Sequence, residues 1–224
     1  MKNKPQQQLL KLAHPTTFEE SDFYISSCNK VAFEWIKSWP KWPTHCLILY
    51  GAKGSGKTHL THIWGKYSNA HNLSFLELDK LNIDQVCSQY KNIILEDLPL
   101  EFDQPLLFHL YNAVKQANGY LLITSLYSPQ IWKITLPDLS SRLRSAIWEE
   151  IRSDDDELLR AVIHKIIADA QILFPPKIID YLLNHHDRSL TQLQTAIHKI
   201  NDCALVMKRK ITLPLVKEVL RKPT

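Results

Sequence analysis

Long apolar runs are missing from this sequence. None approaches the roughly 20 residues that a helix needs to cross a bilayer. Residues 1–8 also lack the apolar core and cleavage site of a secretory signal peptide. The four cysteines, Cys28, Cys46, Cys87 and Cys203, show neither C-x-x-C spacing nor histidines at metal-ligand intervals. These absences disfavour membrane, secreted and zinc proteins, and they predict a cytoplasmic protein with reduced thiols.

Excess charge of one sign is missing too, because 27 Lys and Arg oppose 23 Asp and Glu for a net charge of +4. So small an excess indicates nucleic-acid binding only where the basic residues cluster. The one basic run, Lys208–Lys210, is more typical of a solvated face, so a nucleic-acid-binding module is a weaker alternative. At 224 residues the chain suits one large domain, or a core with a smaller domain attached.

A glycine-rich loop lies between an apolar run and a helical pattern, within residues 47–60. It fits the Walker A pattern G-x-x-x-x-G-K-[ST], with Gly51, Gly56, Lys57 and Thr58 at the fixed positions. Glycines let the backbone curl around a phosphate, and the next helix points its positive dipole end at the same phosphate. The sequence therefore predicts a site for ADP or ATP with Mg²⁺.

Within this site, Lys57 is expected to reach the β- and γ-phosphates and the Thr58 hydroxyl to bind Mg²⁺. The predicted nucleotide-binding set is completed by Lys53, Gly54, Ser55 and His59. An acidic pair, Glu96 and Asp97, follows a short apolar strand about 40 residues after the loop. Glu96 is expected to hold the metal ion, and Asp97 to orient or deprotonate the attacking water.

Strand and helix patterns alternate as far as about residue 152, and only helices follow. The sequence predicts strands at 47–50, 73–78, 92–95, 120–125 and 147–151, and helices at 22–39, 58–69 and 102–116. Alternation of this kind implies an α/β fold, a parallel sheet with helices on both faces. We predict a flexible tail over residues 1–22, an α/β nucleotide domain over 23–152 and a small all-α lid over 153–224.

Two further segments attract attention. The polar tail contains Gln8-Leu9-Leu10-Lys11-Leu12, which suggests a short segment that docks in an apolar pocket of another protein. Packing of those leucines on the chain's own surface is the alternative. Arg142 and Arg144 precede the lid, where an arginine can neutralise γ-phosphate charge in its own site or a neighbour's. An exposed arginine on a helix is the plainer interpretation.

Residues 49–62 resemble the P-loop of the DnaA family of AAA+ replication initiators, and residues 23–32, with Asn29, resemble the segment that helps to form its adenine pocket. A chain of this length is expected to lack the initiators' helix-turn-helix DNA-binding domain. The resemblance thereby narrows to the Hda family, short DnaA homologues that inactivate DnaA. It is strongest over residues 136–143 and 213–220.

The resemblance implies a negative regulator of replication initiation. Gln8, Leu9 and Leu12 match a motif that binds the sliding clamp, the β subunit of DNA polymerase III. Arg142 matches an arginine finger that reaches the ATP held by DnaA, with Arg144 as the second candidate. A homo-oligomer is possible, and neither sequence-specific DNA binding nor membrane binding is implied.

The sequence departs from the DnaA pattern at three positions. Glu96 replaces an aspartate, Leu126 stands at the sensor-one aspartate, and Thr191 stands at the sensor-two arginine, with Arg188 one turn earlier as a possible substitute. We therefore expect weak or absent intrinsic ATP hydrolysis and a nucleotide, ADP or ATP, that acts mainly as a structural ligand. The alternative is a self-standing AAA+ ATPase that loads or remodels a replication protein.

Overall fold

The computed structural model describes residues 18–152, 155–185 and 190–221. The predicted clamp motif, with Gln8, Leu9 and Leu12, lies outside these ranges, as does Arg188. The predicted sensor-two residue, Thr191, lies in a described helix, but its side chain is outside the described part of the structure.

A five-stranded parallel sheet forms the centre of the first domain, in the order β2-β3-β4-β1-β5. The strands are β1 Cys46–Tyr50, β2 His71–Ser74, β3 Ile93–Leu98, β4 Leu121–Ser125 and β5 Ile147–Glu150. The helices between and before them are α1 Lys30–Ser38, α2 Lys57–Ser68, α3 Ile83–Gln89, α4 Gln104–Gln116 and α5 Pro137–Ser145. Short 3₁₀ turns occur at Glu20–Asp22, Phe75–Lys80 and Pro129–Ile131.

Both faces of the sheet are covered, because side chains alternate along each strand. Leu47 and Leu49 of β1 pack with Trp64 of α2 in one core, whereas Ile48 packs in the core on the opposite face, with Leu107 of α4. The buried, apolar β1 and β4 are what a parallel sheet between two helical layers requires. The predicted α/β fold is confirmed.

In the described part of the chain, four helices follow and enclose a core of their own: α6 Asp156–Asp169, α7 Pro176–His185, α8 Leu190–Met207 and α9 Leu213–Arg221. The Asp155 side chain caps α6 by accepting hydrogen bonds from the backbone N–H groups of Glu157 and Leu158. Pro214 lies in the first turn of α9, where its missing N–H costs nothing. Of the helices that the structure describes, none has the length and apolar character that crossing a membrane requires.

The structure corrects several predicted boundaries. The strand predicted over 73–78 ends at Ser74 and continues as a 3₁₀ turn, in which Leu78 is buried but Leu76 is 83% exposed. The first helix begins at Lys30 rather than at residue 22, because the Asn29 side chain holds the preceding segment in a turn through Ser26 N and Tyr24 O. Helix α3, which was not predicted, is only seven residues long.

Candidate nucleotide-binding cleft

The loop after β1 has a backbone that favours glycine. Gly51, Gly54 and Gly56 have φ angles of +146°, +78° and +102°. A Cβ atom at Gly51 would lie 2.2 Å from the carbonyl oxygen of Ile151, so a side chain there would collide with backbone. The loop is therefore both curled and pressed against the strand edge, as a backbone that wraps a phosphate must be.

Lys57 begins α2 and is buried among the atoms of this loop. Its Nζ donates hydrogen bonds of 2.8 Å to the carbonyl oxygens of Gly51 and Ala52. Burial lowers the pKa of Lys57, and the nearby carboxylates of Asp97 and Glu96 oppose that shift. These hydrogen bonds hold the Lys57 amine at the loop, and a bound phosphate can replace the carbonyl oxygens as its acceptor.

The acidic pair lies in a bulge of β3. Leu95 pairs with Ile123 and Leu98 with Ser125, so three steps on β3 face two on β4. Asp97 has a φ of +53°, and its N–H donates to Thr124 Oγ1 at 2.9 Å. The bulge separates the two acids: Asp97 lines the cleft beside the loop, whereas Glu96 accepts a hydrogen bond from the Thr61 hydroxyl.

A cleft of about 840 Å³ opens between the loop, the segment before α1 and the lid. The loop and the start of α2 line it through Lys53, Gly54, Ser55, Gly56, Lys57, Thr58 and His59. Leu158, Val162 and Ile166 of α6 provide an apolar wall opposite. This cleft brings together Asp97 and the predicted nucleotide-binding residues other than Gly51, which lies at the base of the loop.

Several cleft residues were not predicted. Lys165 of α6 forms a 2.6 Å ion pair with Asp22 of the segment before α1, and both side chains line the cleft. Gln194 and His198 of α8 line it as well. No local motif marks these positions, because they come together only when the lid folds against the core.

The residues present fit a nucleotide. The Ser55 hydroxyl is buried and, within the described part of the chain, has no hydrogen-bond partner. The loop combines that orphaned donor with a lysine and glycine backbone, and the cleft adds an apolar wall of the kind that accepts a base. The 3% exposed Asn29, predicted to support the adenine pocket, also lines the cleft. Across residues 18–152, 155–185 and 190–221, no three or more His, Cys, Asp or Glu side chains are grouped to hold a metal ion.

His59 links the loop to the segment before α1. Its Nε2 lies 2.8 Å from the carbonyl oxygen of Glu19, and its ring meets Phe23 edge to face at 5.2 Å. Burial lowers the pKa of His59, and hydrogen bonding to Glu19 opposes that shift. These contacts pack the His59 ring between α2 and the segment before α1.

Arg142 and Arg144 lie in α5, away from this cleft. Helix α5 ends at Ser145, and β5 begins beside Leu47, near the amino end of β1, whereas the glycine loop leaves the carboxyl end after Tyr50. Strand β1, which separates these two ends, is roughly 13 Å long at ~3.3 Å per residue. Neither arginine is among the residues that line the cleft; Arg142 is half-buried and Arg144 is exposed.

Comparisons with known proteins agree with this architecture. Residues 156–220 match the family described as "Hda, lid domain". The chain is 26% identical over 227 residues to the chromosomal replication initiator protein DnaA of Helicobacter pylori strain HPAG1, covering 91% of this chain and 50% of that protein. DnaA of Symbiobacterium thermophilum is 24% identical over 234 residues, covering 92% and 50%. The chain thus spans about half the length of the curated relatives it matches.

Solved structures share the fold. Domain III of Thermotoga maritima DnaA superposes with a TM-score of 0.78 at 19% identity, covering 92% of this chain and 98% of that one. AMPPCP-bound DnaA of Aquifex aeolicus gives 0.67 at 21% identity, covering 80% and 63%. The chain is thus similar to DnaA along most of its length and in its fold, and its lid is similar to that of the Hda family.

Proposed function

We propose that this chain is a nucleotide-binding negative regulator of replication initiation, which acts by promoting hydrolysis of the ATP bound to DnaA. Arg142 is the proposed arginine finger, supplied in trans to the DnaA site. Gln8, Leu9 and Leu12 are the proposed contacts to the sliding clamp. The proposed location is the cytoplasm, where these partners work.

The position of Arg142 is the observation that carries this proposal. The arginine lies in the helix that leads into the amino end of β5, whereas the glycine loop leaves the carboxyl end of β1, and Arg142 is not among the residues that line the cleft. Trp148 Nε1 donates to the Leu143 carbonyl oxygen at 2.8 Å, and Ser145 Oγ donates to the Arg142 carbonyl oxygen at 2.7 Å. An arginine on so well anchored a helix end suits insertion into another molecule's site.

The chain's own cleft is proposed to hold ADP or ATP as a structural ligand. Lys57 and the loop N–H groups would bind the phosphates, and Thr58 would contact Mg²⁺, which when bound neutralises phosphate charge. Leu126 also lines this cleft, and its side chain offers no hydrogen bond to a phosphate. A site that has the phosphate-binding groups of the loop but an apolar leucine at position 126 is better suited to retaining a nucleotide than to hydrolysing it.

Clamp docking is proposed to raise the local concentration of the regulator. A tethered partner meets DnaA on the same DNA at an effective concentration set by the linker rather than by bulk solution. Loss of the docking residues is therefore expected to weaken stimulation at low protein concentration. A large excess of regulator should restore it, because the finger itself is intact.

ATP hydrolysis by DnaA, measured with DNA-loaded clamp, tests the proposal. The parent protein is expected to accelerate hydrolysis and Arg142→Ala to lose that effect, since an arginine finger supplied in trans contributes about 10³–10⁵ in rate. Arg144→Ala is the matched control, because it removes an exposed arginine from the same helix. We expect Arg144→Ala to keep most of the stimulation.

Two outcomes would contradict the proposal. Equal loss in both arginine variants would indicate general damage to α5 rather than a finger at Arg142. Steady ATP turnover by the isolated chain, unchanged by DnaA, would instead support the self-standing ATPase. The acid Asp97, which lines the chain's own cleft, is the observation that keeps this second candidate worth testing.

A further inference from the structure

The hydroxyl of Thr61 joins α2 to the acidic end of β3. Its Oγ1 donates to Glu96 Oε1 and also lies 2.8 Å from the carbonyl oxygen of Thr58, so two acceptors share one hydroxyl hydrogen. Thr61 is only 1% exposed, so the donor side of this contact is shielded from water, whereas the Glu96 side chain is partly exposed. A charge-assisted hydrogen bond in such a place is stronger than an ordinary one.

Helix geometry explains why Glu96 meets Thr61 rather than the phosphate end of the helix. Thr58 and Thr61 are three residues apart, so they lie one above the other on the same face of α2. Thr58 is exposed at the cleft, whereas Thr61 lies one turn deeper. The carboxylate of Glu96 is bound at this deeper turn and does not line the cleft.

Asp97 has the opposite placement. Its left-handed backbone and its hydrogen bond to Thr124 turn it into the cleft. There the Asp97 carboxylate opposes the burial-induced lowering of the Lys57 pKa more strongly than the Glu96 carboxylate does. The bulge thus directs the two neighbouring acids differently: Asp97 faces the cleft, and Glu96 faces Thr61 in the second turn of α2.

We propose that Thr61 is a positioning residue that withholds the Glu96 carboxylate from the metal-binding end of the cleft. Asp97 is then the acid that faces a bound nucleotide, and Glu96 acts as a structural tie between α2 and β3. This inference rests on the nucleotide site of the proposed function, not on Arg142 or the clamp. It gives a physical reason, beyond Leu126, for weak intrinsic hydrolysis.

Thermal unfolding of the nucleotide-free chain tests the contact itself. We expect Glu96→Gln to lower Tm by about 2–4 °C in the parent, the shift that ~1 kcal/mol gives in a chain of this size. In a Thr61→Val background the same change should have little effect, because the partner hydroxyl is already gone. Thr44→Val is the matched control, since its hydroxyl bonds the Cys46 carbonyl oxygen at 3.0 Å, outside the residues that line the cleft.

The Mg²⁺ dependence of ADP binding tests the withholding. Thr61→Val should free Glu96 to contact the metal. The factor by which Mg²⁺ increases the affinity for ADP should then rise roughly fivefold, or ~1 kcal/mol. Adding Glu96→Gln should abolish that gain, whereas Glu96→Gln alone and Thr44→Val should leave the parent value unchanged.

The proposal is overturned if Glu96→Gln alone weakens Mg²⁺-dependent binding, because Glu96 would then already contact the metal. An unchanged Mg²⁺ effect in Thr61→Val would overturn it equally. A parent that binds no ADP would remove both the nucleotide site and this inference. Failure of Arg142→Ala to reduce DnaA stimulation would leave the inference intact.

Discussion

Glu149 lies in the edge strand β5, where its register partner is the buried Leu49. Burial raises the pKa of Glu149, and the charge of the adjacent Glu150 raises it further. An ionised carboxylate at this position is therefore less favourable in the folded chain than in the unfolded one. Its protonation favours folding below the ordinary value of 4.5, and that contribution is lost as pH rises through the folded-state pKa.

Replacing Glu149 with Gln keeps the shape and removes the charge. We expect Glu149→Gln to raise Tm at pH 7 by about 1–2 °C and to match the parent below the ordinary carboxyl pKa. Glu150→Gln removes only the smaller of the two causes, so its gain should be less. Scanning calorimetry at both pH values decides the matter, and a gain that persists in acid would exclude this electrostatic origin.

Individual residues of the site were predictable where a local pattern marks them. Gly51, Lys57 and Thr58 follow from loop chemistry alone, because the spacing of a phosphate loop lies within eight consecutive residues. Thr61 carries no such mark, since a threonine inside a helix has many uses. Its contact with Glu96 joins residues 35 positions apart and depends on how α2 sits on the sheet.

The lid helices are stabilised by a small apolar core, so the loss of one buried side chain should lower the stability measurably. Leu182 of α7 is fully buried there, whereas Leu173, before α7, is 91% exposed. We expect Leu182→Ala to lower the free energy of unfolding by about 2–5 kcal/mol through lost burial and a cavity. Leu173→Ala should change it by less than ~0.5 kcal/mol.

Denaturant unfolding monitored by circular dichroism measures both lid variants. A similar loss in the two would mean that Leu173 is covered in solution. No loss in either would mean that the α7 packing contributes little to stability. Because the lid forms one wall of the cleft, Leu182→Ala should also weaken ADP binding.

At the scale of elements, helices with strong apolar periodicity were predicted well, and short or irregular ones were not. The pattern Leu73-Ser-Phe-Leu-Glu-Leu78 alternates like a strand, yet β2 pairs with β3 only as far as Ser74 opposite Glu96. Beyond that point β3 bulges, and the chain turns into a 3₁₀ helix instead. Pairing partners decide where a strand ends, and a single segment does not reveal them.

Across the whole molecule, the lid and the core meet at the cleft. The ion pair of Lys165 and Asp22 spans 143 positions of sequence and has partly exposed side chains, so it contributes little to stability by itself. Its effect should appear in ligand binding, because both partners line the cleft and hold its two walls together.

We expect Lys165→Met and Asp22→Asn each to weaken ADP binding roughly fivefold, or ~1 kcal/mol, with little change in Tm. Lys66→Met is the control: it breaks the exposed 2.6 Å pair with Glu19, and Lys66 is not among the cleft residues. Isothermal titration calorimetry provides the comparison. A loss confined to Lys165→Met would show that the lysine acts on the ligand directly rather than through the ion pair.

The opposite placement of the glycine loop and Arg142 has a consequence for symmetry. A two-fold dimer makes each contact twice, so it can insert two arginines into two clefts only if the copies lie antiparallel, with the loop end of each beside the Arg142 end of the other. A pair that makes only one such contact, between copies or with a DnaA molecule, is head-to-tail. Such a pair leaves one arginine and one cleft unused at its two ends, which gives the complex a direction and lets it extend from either end.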